Sequence, residues 1–186
     1  MLKKPSVTTA IHVTRNPDYE TIPPSILEKA CANGKIFHKA CYDYALAGIM
    51  YKGPDEKINA DFAALTRFMN DNIKTVVFAE KLFSNKLYGY HGHPDLGVIY
   101  NGSSELVLID YKRTAKRYPQ HDWQLAAYSH LDGVETRRNL IWTPAKNKQG
   151  YRCIELTKRK ENFNFFLLCG KMTTMAKNKF MVCIFP

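Results

Sequence analysis

The chain has no long hydrophobic run, no close cysteine pair, no internal repeat and no low-complexity tract. Its longest apolar stretch, Phe163 to Cys169, is broken by Asn164. A bilayer-crossing helix needs roughly 20 apolar residues, so no membrane partner is expected. The start, Met1-Leu2-Lys3-Lys4-Pro5-Ser6, is basic but no apolar segment follows it. No secretory signal is therefore expected, which points to an intracellular, cytoplasmic location. Five cysteines stand at positions 31, 41, 153, 169 and 183, none in a C-x-x-C. An odd count without close spacing argues against a disulfide framework and against a cysteine zinc site. It suits reduced, mostly buried thiols.

What is present describes an ordered protein. Of 186 residues, 45% are hydrophobic and 12% aromatic, enough to build a core. The length suits a single domain over 1–186, with an irregular N-terminal segment at 1–24 and a C-terminal helix and tail at 157–186. Lys and Arg number 27 against 17 Asp and Glu, a net charge of +10. The first 111 residues hold 12 of each sign, so the whole excess lies in 112–186. Such asymmetry suggests a polyanionic partner.

The most informative stretch is a hairpin. Asn101-Gly102 is flanked by the apolar runs Leu96-Gly97-Val98-Ile99-Tyr100 and Leu106-Val107-Leu108-Ile109, a strong turn signal. If the four residues 101–104 close the pair Tyr100–Glu105, Asp95 falls opposite Asp110. Opposed side chains share a face, with Cβ atoms roughly 5 Å apart. Two carboxylates that close repel unless a cation lies between them. A divalent metal is the natural occupant, since hard cations take oxygen ligands. Strand alternation places Lys112 on the face of Asp110. Two carboxylates and an ammonium on one spot suit the cutting of phosphate esters.

Elsewhere the chain alternates between periods. Residues 1–24 hold Pro5, Pro17, Pro23 and Pro24 and a β-prone run from Val7 to Val13. Ser25 is placed to cap a helix over about 26–48, and a second helix is expected over about 59–72. Strands are expected over about 75–83, 87–100 with a break near Gly92, and 105–112. Pro119 opens a helix over about 120–131. A strand at 138–142 can pair with 151–156, and Thr157 can cap a last helix over about 158–175. These elements make a mixed α/β layer fold.

The same residues resemble the PD-(D/E)xK nuclease superfamily, and within it the RecB-like exonuclease branch. Pro94-Asp95 with Asp110-Tyr111-Lys112 supplies the superfamily signature. Gly34-Lys35-Ile36-Phe37-His38 is similar to the branch's G-x-x-x-H element. Gly92-His93-Pro94-Asp95 is similar to its G-x-x-D, and Gln124-Leu125-Ala126-Ala127-Tyr128 to its Q-x-x-x-Y. Their order and rough spacing agree over about residues 25–156.

The resemblance implies an α/β fold with a restriction-endonuclease-like core, a mixed central β-sheet flanked by helices. It implies a DNA nuclease using Mg²⁺ or Mn²⁺. His38, Asp95, Asp110 and the carbonyl of Tyr111 would be the ligands, with the Tyr111 side chain in the core. Lys112 would position water and offset phosphate charge. Glu80 has three readings: a holder of a second metal, a partner of Lys112, or a surface carboxylate. Gln124 and Tyr128, four apart and so on one helix face, would steady the DNA. Arg113, Lys116 and Arg117 would touch phosphates. Some branch members hold an iron–sulfur cluster on closely spaced late cysteines. The late cysteines here are widely spaced, so no cluster is expected. An exonuclease acting on DNA ends is the first expectation. The alternatives are a structure-selective or nicking endonuclease, or a DNA-binding module without catalysis. A phage or mobile-element recombination setting suits a small nuclease core. A homo-oligomer or a recombination partner protein stays open.

Overall fold

Central strands are near-continuous apolar runs because helices cover both of their faces. The strand Leu106–Tyr111 and the strand Arg138–Pro144 are of this kind, each with five consecutive buried residues. The computed structural model describes residues 4–12, 21–114 and 116–182. In chain order the elements are α1 (Val7–Ile11), α2 (Pro24–Ala47), α3 (Glu56–Asn72), β1 (Ile73–Ala79), β2 (Phe83–Asn85), β3 (Tyr90–Gly92), β4 (Leu96–Tyr100), β5 (Leu106–Tyr111), α4 (Pro119–Tyr128), β6 (Arg138–Pro144), β7 (Tyr151–Glu155) and α5 (Arg159–Val182). Five strands form one mixed sheet in the order β1-β4-β5-β6-β7. All neighbours are antiparallel except β5 and β6, which run parallel with α4 between them in the chain. The expected mixed α/β fold is thus present: a five-stranded mixed sheet flanked by helices.

Alternation along the strands sorts the core into two layers. Val107, Ile109, Tyr111, Leu140 and Trp142 pack with Phe37 and Cys41 of α2 and with Phe62, Leu65 and Phe68 of α3. Leu108 and Ile141 face the other way, onto Val7 of α1, Leu125 and Ala126 of α4, and Phe163 and Phe166 of α5. Asp110 shares the parity of Leu108, so its side chain leaves the sheet on the α4 side. Among the described residues no helix is long and apolar enough to cross a membrane.

Several expectations need correction. The β-prone run from Val7 begins as a helical turn, α1, capped by the Ser6 hydroxyl, which accepts from Thr9 N–H at 3.1 Å. Burying Val7, Ala10 and Ile11, spaced i, i+3, i+4, outweighs the β preference of the run. Val13, Pro17 and Cys183 lie outside the described residues. Ser25 does not cap α2. Pro23 holds the cap position and Pro24 the first helical one. The strand expected to reach residue 83 stops at Ala79, because Glu80 turns to a left-handed φ of 46°. Residues 86–89 form a turn rather than a strand start. Asn85 builds it by accepting from Tyr88 N–H at 2.8 Å, and Gly89 closes it at φ 69°. The resulting β2–β3 hairpin stands apart from the main sheet. α4 ends at Tyr128, three residues early, where the Ser129 hydroxyl donates back to Ala126 O at 2.8 Å. α5 runs on to Val182, beyond the expected end.

Candidate active site

The hairpin register is the one the Asn-Gly turn predicts: Leu96 pairs with Ile109 and Ile99 with Leu106. Asp95, just before β4, therefore lies beside the end of β5. Its Oδ2 accepts the Tyr111 backbone N–H at 2.6 Å. Its Oδ1 lies 3.5 Å from Nδ1 of His38, which α2 brings in from the other layer. Glu80 Oε1 lies 3.4 Å from the same nitrogen. One donor atom from each of His38, Glu80 and Asp95 falls within 4.8 Å of the other two.

Asp110 has no exposed surface, and its Oδ2 sits 2.6 Å from the Lys112 ammonium. Its Oδ1 meets no hydrogen-bond donor among the described residues. A buried carboxylate oxygen without a donor calls for a cation. Two oxygen donors and an imidazole next to it form a hard, mixed donor set of the kind divalent ions take. The residues present thus fit a divalent metal. Tyr111 has its ring in the core, in edge contact with Phe37 and with His38.

The charges of the cluster act strongly on one another. Burial alone would lower the His38 pKa, but Asp95, Glu80 and Asp110 outweigh it and raise it to about 10. Burial raises the Asp110 carboxyl to about 6, against the pull of Lys112 and with the help of Asp95. Asp95 is held below its ordinary value although burial opposes this, chiefly by His38 and Lys112. Lys112 is held above its ordinary value despite burial, by Asp110 and Asp95. It is an ammonium at neutral pH.

On α4, Gln124 Nε2 donates to the Tyr128 hydroxyl at 3.0 Å. The Tyr128 pKa is raised well above normal, by burial first and then by Asp95 and Asp110. Gly92 makes room for this ring: a Cβ there would stand 2.6 Å from Tyr128 Cε1 and 3.1 Å from Val7. Gly92→Ala is expected to cost about 1–3 kcal/mol by overpacking and to displace Tyr128. A melting temperature equal to that of the parent would show that the ring yields freely.

The basic residues behind Lys112 each meet a partner of their own. The Arg113 guanidinium sits 2.8 Å from Asp61 of α3 and over the Phe37 ring at 5.5 Å, so it is committed to the interior. Arg117 is paired with Asp122 at 2.8 Å. Lys116 is exposed, with Nζ over the Tyr118 ring at 5.0 Å. Three neighbours escaped the sequence reading. Asp61 is an acid within the inward stripe of Ile58, Phe62 and Leu65, and that placement was its signal. His121 lies on the face of α4 that carries Gln124 and Tyr128. Burial, Lys112 and Arg117 hold its pKa down to about 4. His93, inside the G-x-x-D stretch, had no signal beyond its neighbours.

No protein-family model matches the sequence, and no curated protein matches it. Among solved structures, an alkaline exonuclease (LHK-Exo) from Laribacter hongkongensis is similar over 98% of this chain and 95% of its own, at 13% identity and a TM-score of 0.44. The same exonuclease in complex with dAMP gives 14% identity and 0.44 over the same shares. The structure of SSO0001 gives 14% identity and 0.46 over 95% of this chain and 77% of that one. At this distance the neighbours carry no chemistry across, and the site is read from its own residues.

Proposed function

We propose that this chain is a divalent-metal-dependent deoxyribonuclease of the PD-(D/E)xK kind, an exonuclease acting at DNA ends. The supporting observation is the meeting of His38, Glu80 and Asp95 donor atoms within 4.8 Å, beside a fully buried Asp110 paired with Lys112. His38, Glu80, Asp95 and Asp110 would hold the ion. A bound Mg²⁺ or Mn²⁺ would lower the pKa of water and neutralise phosphate charge. The imidazole favours Mn²⁺ in affinity.

The chain's own groups supply the rest. Lys112 is protonated, so it acts as a hydrogen-bond donor to the phosphate or the attacking water, and not as a base. Hydrolysis adds water across one P–O bond and leaves a 5′-phosphate and a 3′-hydroxyl. Gln124 and Tyr128 line the same side and would steady the strand. Lys116, exposed on the loop after Lys112, would meet a phosphate of the strand. Arg113, paired with Asp61, would support the site from behind.

The test is digestion of end-labelled linear and of circular DNA, single- and double-stranded, with Mg²⁺, Mn²⁺ or EDTA. Linear DNA is expected to be degraded from its ends with either metal, circles to survive, and EDTA to stop the reaction. Cut circles would favour the endonuclease reading. No cleavage of any substrate would leave a DNA-binding module.

A further inference from the structure

We propose that His93 is a positioning residue that holds the Glu80 carboxylate in the metal-binding group. The inference rests on the nuclease reading above. Glu80 and Asp95 lie at the two ends of one excursion, residues 81–94, that carries the β2–β3 hairpin outside the main sheet. Ala79 and Leu96, their chain neighbours, are paired in the main sheet, so the backbone just past that pair decides where the two carboxylates point. The neck of the excursion is closed by two hydrogen bonds, both on the backbone of Glu80. The Glu80 N–H donates to Asp95 O at 3.2 Å, and His93 Nδ1 lies 3.0 Å from Glu80 O. A carbonyl only accepts, so His93 carries its proton on Nδ1.

The bond matters because of the backbone it holds. Glu80 sits at φ 46°, a conformation that non-glycine residues adopt at a cost. This kink ends β1 and brings Oε1 within 3.4 Å of His38 Nδ1. An extended Glu80 would carry on the strand and aim its side chain elsewhere. Fixing the Glu80 carbonyl from His93 therefore fixes where the carboxylate points. The His93 ring is exposed and belongs to neither core layer, so its removal leaves the packing of the sheet intact.

The test is calorimetric titration of the full chain with MnCl₂. His93→Ala is expected to weaken Mn²⁺ binding roughly two- to tenfold, the span of one net hydrogen bond. Its melting temperature without metal should stay close to that of the parent. His93→Asn, whose Nδ2–H stands where Nδ1–H was, is expected to recover most of the affinity. In a Glu80→Ala background His93→Ala should add nothing, because the residue works through Glu80. A parent that binds Mn²⁺ with an unaltered His93→Ala variant would overturn the role of His93 alone. So would a loss that persists in the Glu80→Ala background. A parent that binds no Mn²⁺ would overturn both this role and the metal-dependent reading beneath it.

Discussion

Replacing Lys112 with alanine is expected to cut metal-dependent DNA cleavage by roughly a hundred- to a thousandfold and to weaken the metal-free fold by about 3–5 kcal/mol. The first effect follows from losing a donor aimed at developing phosphate charge. The second follows from what is left behind. Asp110 is wholly buried, its Oδ1 has no donor among the described residues, and its Oδ2 relies on the ammonium 2.6 Å away. Without that ammonium the carboxylate can escape only by taking a proton. Burial already holds it up at about 6 with Lys112 in place, and removing the cation pushes it higher. A carboxyl whose folded pKa exceeds its unfolded value binds more protons when folded. The fold then loses stability as pH rises from about 4 through the folded pKa, and keeps it below. Variant and parent should therefore melt most alike near pH 4 and diverge toward pH 8. Melting curves in EDTA at the two pH values check this, together with cleavage of end-labelled DNA. Equal melting at pH 8 would remove Lys112 as the partner that stabilises buried Asp110, and undiminished cleavage would remove it from the chemistry.

The sequence made this pair visible because a hairpin has few degrees of freedom. Once Asn101-Gly102 sets the turn, parity fixes which side chains share a face, and Asp95, Asp110 and Lys112 follow without further information. Spacing on one helix was equally readable, as the Gln124–Tyr128 bond shows. The same parity carried a warning about Arg113: a residue one step from Lys112 points to the opposite face. Its partner Asp61 lies on α3, far back in the chain, so local patterns could not name it. α1 was misread because its β-branched run is helical only through a Ser6 cap and burial against α4 and α5. Glu80 was the hardest. Three readings of its carboxylate stood open, and what aims it at His38 is a left-handed backbone angle. Such an angle at a non-glycine residue leaves no compositional trace.

That cluster makes metal affinity strongly dependent on pH. Apparent Mn²⁺ affinity is expected to rise about tenfold per pH unit between about pH 6.5 and 8.5, because each ion must displace one proton. The proton is on His38. Burial pulls its pKa down, yet Asp95, Glu80 and Asp110 together raise it to about 10, so the ring is an imidazolium over this whole range. An imidazolium has no lone pair to offer. The same proton works the other way on the metal-free fold. A histidine with a folded pKa above its unfolded 6.5 adds stability that is fully present below pH 6.5 and lost as pH climbs through about 10. Alkaline conditions thus favour the occupied site, while neutral and mildly acidic ones favour the protonated cluster. Calorimetric titrations in buffers of different ionisation enthalpy should count close to one proton released per ion. His38→Asn, which offers an amide oxygen and no titrating group, should bind with a nearly flat pH profile. A parent affinity that is level across this range, with no proton released, would take His38 out of the ligand set and leave the carboxylates to hold the ion without it.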